Sequence, residues 1–114
     1  MVEIKICTDK NKLPIGEDEK KYSAFSAISG GGLVGYCLYY VEDGILHLEK
    51  LVTQPTDFSL ADGIARAVMN ANTKEAETVV CRRSDKELSD FCRFTKAFDG
   101  DAAKISDIIG ECVF

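Results

Sequence analysis

The pattern of apolar and polar side chains alternates along the chain between a period of two and a helical period. Val2 to Cys7 alternates hydrophobic with charged residues and reads as a short first strand. Thr8 to Lys20 is polar, carries Pro14 and Gly16, and reads as a connection with at most one helical turn. Tyr22, Ala24, Phe25, Ala27 and Ile28 form a second strand-like run, and Ser29-Gly30-Gly31-Gly32 turns the chain into a third, Leu33 to Glu42. Asp43-Gly44 between two apolar runs is a two-residue hairpin signal, so Leu33–Glu42 and Ile45–Thr53 should pair antiparallel. After Pro55 the spacing becomes helical. Leu60, Ile64, Ala67, Val68 and Ala71 share one face, with Ser59 and Asp62 as a capping box and Asn72-Thr73 as the end. Glu77 to Cys81 is a strand rich in valine and threonine. Ser84 and Glu87 form a second capping box, and Leu88, Phe91, Cys92, Thr95 and Phe98 follow at helical spacing. Asp99-Gly100-Asp101 is a turn. Lys104 to Phe114 fits either a short helix followed by a strand or a single strand. Strands in a run, then strands alternating with helices, predict an α+β domain: a mixed sheet with a central antiparallel meander and one parallel β-α-β crossover.

The chain has 114 residues, which predicts one domain, 1–114. With 14 basic against 19 acidic residues its formal charge is −5, which argues against nucleic-acid and anionic-membrane binding, since both need a basic face. The longest mostly apolar run, Gly30 to Val41, is too short to span a bilayer. Five cysteines, no C-x-x-C pair and no export signal point to reduced thiols and a cytoplasmic setting. No metal site is expected, because the single histidine, His47, has no cysteine at ligand spacing.

The segment Leu33-Val34-Gly35-Tyr36, the hairpin to Leu46-His47-Leu48-Glu49-Lys50-Leu51-Val52-Thr53-Gln54-Pro55 and the helix carrying Asp62-Gly63-Ile64-Ala65 together resemble the GNAT superfamily of N-acyltransferases. In that family the meander ends in an L-x-V-x-P strand and a glycine-rich turn opens the next helix. Leu88 to Phe98 resembles the second conserved helix, with Ala97-Phe98 in place of the usual Gly-Phe. The resemblance covers about Tyr22 to Phe98 and implies a GNAT-like fold with a reduced N-terminal helical region, because Thr8–Lys20 replaces two helices that help to wall the acceptor pocket.

The resemblance further implies acetyl-CoA as cofactor and a small-molecule or peptide amine as acceptor. The strand around Leu51, Val52 and Thr53 would meet the thioester and pantetheine through its backbone, in a slot where the strands ending at Thr53 and beginning at Glu77 splay apart. A helix N-terminus can hold pyrophosphate, and the match of Gly63 and Ala65 to the family's small-residue pattern implies a cofactor-binding role for Asp62, Gly63, Ile64 and Ala65. Close packing of the helix on the sheet is the alternative for Gly63 and Ala65. His47 and Glu49, two apart and on one strand face, match the positions from which relatives supply a base, and exposure to solvent or a partner is their alternative. Several positions depart from the family pattern. Leu60 stands where Arg or Gln is usual, and Asp57 and Asp62 bring negative charge to the phosphate site. Phe91 or Cys92 stands where a tyrosine acid is common. Two readings follow: an acyl-CoA-dependent N-acetyltransferase, or a non-catalytic GNAT-like binding or dimerisation module. Tyr36, Tyr39 and Tyr40 lie on the meander, and an exposed tyrosine face would fit a homodimer.

Overall fold

A computed structural model describes residues 2–109. Its six strands form a single sheet in sequence order: β1 (Val2–Ile6), β2 (Ser23–Ser29), β3 (Gly32–Glu42), β4 (Ile45–Thr53), β5 (Thr78–Cys81) and β6 (Ala102–Lys104). Neighbours pair antiparallel except β4 with β5, which are parallel and joined through helix α1 (Phe58–Ala71). Helix α2 (Lys86–Phe94) links β5 to β6, and α3 (Ile105–Ile109) follows β6 directly. This is the α+β meander with one crossover that the sequence predicts. The tail expected as helix-then-strand or strand begins with β6 and α3, and residues 110–114 of that expectation lie outside the described residues.

The hairpin between β3 and β4 turns on Asp43 (φ 54°) and Gly44 (φ 78°), and two successive left-handed residues match the twist of the flanking strands. Alternation along the strands divides the sheet into two faces. Phe25, Ala27, Cys37, Tyr39, Leu46, Leu48, Leu51, Val79 and Cys81 face α1 and α2 and form the main core. Ala24, Tyr36 and Leu38 face the other way and meet Leu13 from the 8–22 connection. That connection contains two short 3₁₀ turns, Lys10–Lys12 and Glu17–Glu19, where at most one turn was expected.

The helices correct four expectations. In α1 the buried residues are Ala61, Ile64, Ala65, Val68 and Met69, a full i, i+3, i+4, i+7, i+8 face. The expected face shares Ile64 and Val68 with this one but is rotated from it, since Leu60 and Ala67 are only partly buried at its border and Ala71 is exposed. Asp57, not Ser59, caps α1, its carboxylate accepting from the Leu60 N–H. Likewise Asp85, not Ser84, caps α2 by accepting from the Leu88 N–H. In each helix an aspartate one or two positions from the expected serine holds the cap, since aspartate and serine are comparable acceptors for an unpaired helix N–H and position decides between them. Helix α2 ends at Phe94, short of Phe98, yet Phe98 still packs edge-on against Phe91 at 5.7 Å. A turn with Phe98 N–H donating to the Thr95 carbonyl carries it back to the core, which mimics continued helical spacing.

Candidate functional site

The arrangement begins with a bulge in β4. Opposite it, Leu38 faces Lys50 while the next residue of β3, Tyr39, faces Leu48, so Glu49 is the extra residue. A bulge bends and twists its strand. Strand β5 follows β4 only from Ile45↔Thr78 to Leu48↔Cys81, and the last link is the Arg82 N–H donating to the Leu48 carbonyl. Beyond the bulge β4 runs on to Thr53 without a strand partner on this side, because β5 ends at Cys81.

The backbone N–H groups that β5 leaves unpaired on β4 are met from the start of α2. The Leu51 N–H donates to Asp85 Oδ2 at 3.3 Å, and the Thr53 N–H donates to Glu87 Oε1 at 3.2 Å. The Thr53 hydroxyl donates to Glu87 Oε2 at 3.1 Å and accepts from the Asp57 N–H at 2.9 Å. Two backbone donors at the end of β4 thus already hold carboxylates, and a chain of hydrogen bonds ties the end of β4 to the starts of both helices. Burial pushes the Asp85 carboxyl above the usual aspartate range, partly offset by the Leu88 and Leu51 N–H groups.

The remaining positions assigned from sequence fall into separate places. Asp62 pairs with Arg66 at 2.9 Å along α1, and Arg66 Nη1 also donates to the Ile108 carbonyl at 2.8 Å. Ile64 and Ala65 are buried under the sheet. A Cβ on Gly63 would meet only Ile4 Cδ1, at an ordinary 3.6 Å. The N-terminus of α1 is occupied by its own Asp57 carboxylate and carries Leu60 and the exposed Phe58. Phe58 packs edge-on against Phe94 at 5.4 Å, joining the first turn of α1 to the last of α2. Cys92 is buried, its thiol donating to the Gly100 carbonyl at 3.2 Å and pushed up by burial.

His47 and Glu49 lie on the sheet face away from the helices. His47 stacks on Tyr40, its cross-strand partner, at 4.4 Å and 5°, and Tyr40 stacks in turn on Tyr22 at 5.8 Å. Glu49 is paired with Arg82 at 3.1 Å. Of the three tyrosines of β3, Tyr36 and Tyr39 are buried and Tyr40 is half-buried. The sequence signal for these carboxylates was the pair Asp85 and Glu87 at the start of a helix, but a contact spanning 34 residues has no local signature.

No protein-family model matches the sequence, and no curated protein matches it. Solved structures do. A probable acetyltransferase from Staphylococcus epidermidis superposes with a TM-score of 0.58 at 12% identity, over 71% of this chain and 72% of that one. A GNAT family acetyltransferase from Elizabethkingia anophelis, solved with acetyl-CoA bound, gives 0.57 at 11% identity over 70% of this chain and 63% of that one. A ribosomal-protein-alanine N-acetyltransferase from Brucella melitensis gives 0.61 at 10% identity over 82% and 89%. The chain has the GNAT acetyltransferase fold.

Proposed function

We propose that this chain is a non-catalytic binding module built on the GNAT fold, its acyl-CoA slot closed from within by its own carboxylates. The observation that carries this reading is the pair of hydrogen bonds from the Leu51 and Thr53 N–H groups to Asp85 and Glu87. A thioester carbonyl or pantetheine amide would have to displace two charged acceptors from these donors, and charge-assisted bonds are the stronger kind. The phosphate end is no better suited. Asp57 already caps α1, Asp62 stands one turn in with its charge matched by Arg66, and Leu60 offers neither charge nor amide. The residues present do not fit acetyl-CoA.

The second reading, an N-acetyltransferase acting on a small-molecule or peptide amine with acetyl-CoA as donor, is favoured by one observation. His47 and the bulged Glu49, both partly exposed, share the sheet face away from the helices, where a base for the incoming amine would serve. Calorimetric titration with acetyl-CoA separates the two. The wild-type chain is expected to give no saturable heat up to about 1 mM ligand. Glu87→Ala, which removes the carboxylate on Thr53, is the partner variant. A wild-type Kd in the micromolar range, with acetyl transfer lost in His47→Ala or Glu49→Ala, would overturn the non-catalytic reading.

A further inference from the structure

Strand β1 forms one edge of the sheet and pairs, among the described residues, only with β2. The Cys7 N–H donates to the Ala24 carbonyl, continuing the register that sets Ile6 against Phe25. Antiparallel strands alternate their hydrogen bonds, so Cys7, Lys5 and Glu3 bond to β2 while Val2, Ile4 and Ile6 turn their N–H and C=O groups outward. Those same three residues place their side chains on the helix-bearing face of the sheet. Ile4 is partly covered there by α1, while Val2 is 42% and Ile6 57% exposed. Glu3 and Lys5 project from the other face, paired with each other at 2.8 Å and well exposed. An edge with open backbone donors, bare aliphatic side chains and no proline is a template for strand addition.

We propose that β1 joins the β1 of a second copy of this chain, antiparallel about a two-fold axis through Ile4, to form a homodimer with one continuous sheet. The sequence Val-Glu-Ile-Lys-Ile is complementary to itself in this register. Val2 faces the second copy's Ile6, Ile4 faces Ile4, and Glu3 faces the second copy's Lys5. The outward groups fall opposite one another as hydrogen-bonded pairs, the exposed apolar side chains cover each other, and each copy's Glu3–Lys5 pair extends into a four-charge ladder. Two neighbouring registers keep the outward groups in step, but centring on Glu3 sets Glu3 against Glu3, and centring on Lys5 sets Lys5 against Lys5. Like charges directly opposite disfavour both. A closed two-fold contact also removes the edge instead of propagating it.

Sedimentation equilibrium from roughly 1 µM to 1 mM tests this. The wild-type chain is expected to show a monomer–dimer equilibrium. Lys5→Glu and Glu3→Lys alter only exposed side chains, leave the circular dichroism unchanged, and each weaken self-association at least about tenfold. An equimolar mixture of the two variants should dimerise again, because a strand carrying two glutamates faces one carrying two lysines. The double exchange Glu3→Lys/Lys5→Glu should also recover the wild-type equilibrium. A wild-type chain monomeric over the whole range, a Lys5→Glu variant that dimerises as well as wild type, or a mixture that stays monomeric overturns the proposal.

Discussion

Gly35 lets α1 rest directly on the backbone of β3. A Cβ there would lie 2.9 Å from Ile64 Cδ1, 2.9 Å from the Val52 carbonyl oxygen and 3.3 Å from Thr53 Cγ2. The isoleucine tip can swing aside, but the carbonyl belongs to the β3–β4 ladder and cannot yield without loosening it. Gly35→Ala should therefore cost about 1–3 kcal/mol, the usual range for overpacking. The measurement is urea denaturation, with the midpoint lowered and the slope unchanged. Gly63 makes the instructive contrast. A methyl group there meets only Ile4 Cδ1 at 3.6 Å, and alanine is the better helix former by roughly 1 kcal/mol. Gly63→Ala should leave the midpoint unchanged or raise it, and an equal loss in both variants would contradict this account of Gly35. From sequence, both glycines belong to the same family resemblance, and only the neighbour each one faces distinguishes them.

The elements meet at the joint between β4 and α2, and Asp85 is the residue that joins them. Its Oδ2 accepts from both the Leu88 and the Leu51 N–H groups. Burial raises the Asp85 pKa, so between the ordinary aspartate value and the raised one the folded state holds a proton that the unfolded state has lost. Stability from this group therefore falls as pH rises through that window, and a desolvation penalty persists above it. An asparagine keeps one acceptor oxygen for both donors and carries no charge. At pH 7 Asp85→Asn should match or exceed the wild-type melting temperature, while Asp85→Ala, which leaves both N–H groups without an acceptor, should lose about 1–2 kcal/mol. Any advantage of the asparagine should shrink as pH drops into the acid range. If Asn and Ala are equally destabilising at pH 7, the charge itself is needed. The meander around this joint was legible in the sequence, because period-two alternation and Asp43-Gly44 fix strands and register locally. The caps were not, since Ser59 and Asp57, like Ser84 and Asp85, are competing acceptors one or two residues apart. The use of Glu87 was also hidden. As a supposed capping-box partner it would reach back along its own helix, whereas it reaches across to Thr53.

The whole sheet is built outward from β3 and β4, its two central and longest strands, towards two edges held by less. Strand β6 pairs with only three residues of β5, and α3 is a single turn that buries Ile105 and Ile108. Arg66 fastens this end to the middle of the molecule. Its guanidinium accommodates Asp62 on one side and donates to the Ile108 carbonyl on the other, a cation set where the carbonyls of a helix end are unpaired. Native-state hydrogen exchange should then rank β3 and β4 as the most protected strands and β6 with α3 among the first to open. Arg66→Ala should speed exchange in residues 102–109 by about tenfold, the equivalent of one charge-assisted hydrogen bond, while leaving β3 and β4 near their wild-type protection. Arg66→Lys restores a charge but not two directed donors, so it should recover only part of that protection. If exchange in β3 and β4 accelerates as much as in 102–109, the sheet opens as one cooperative unit and Arg66 supports all of it rather than its end.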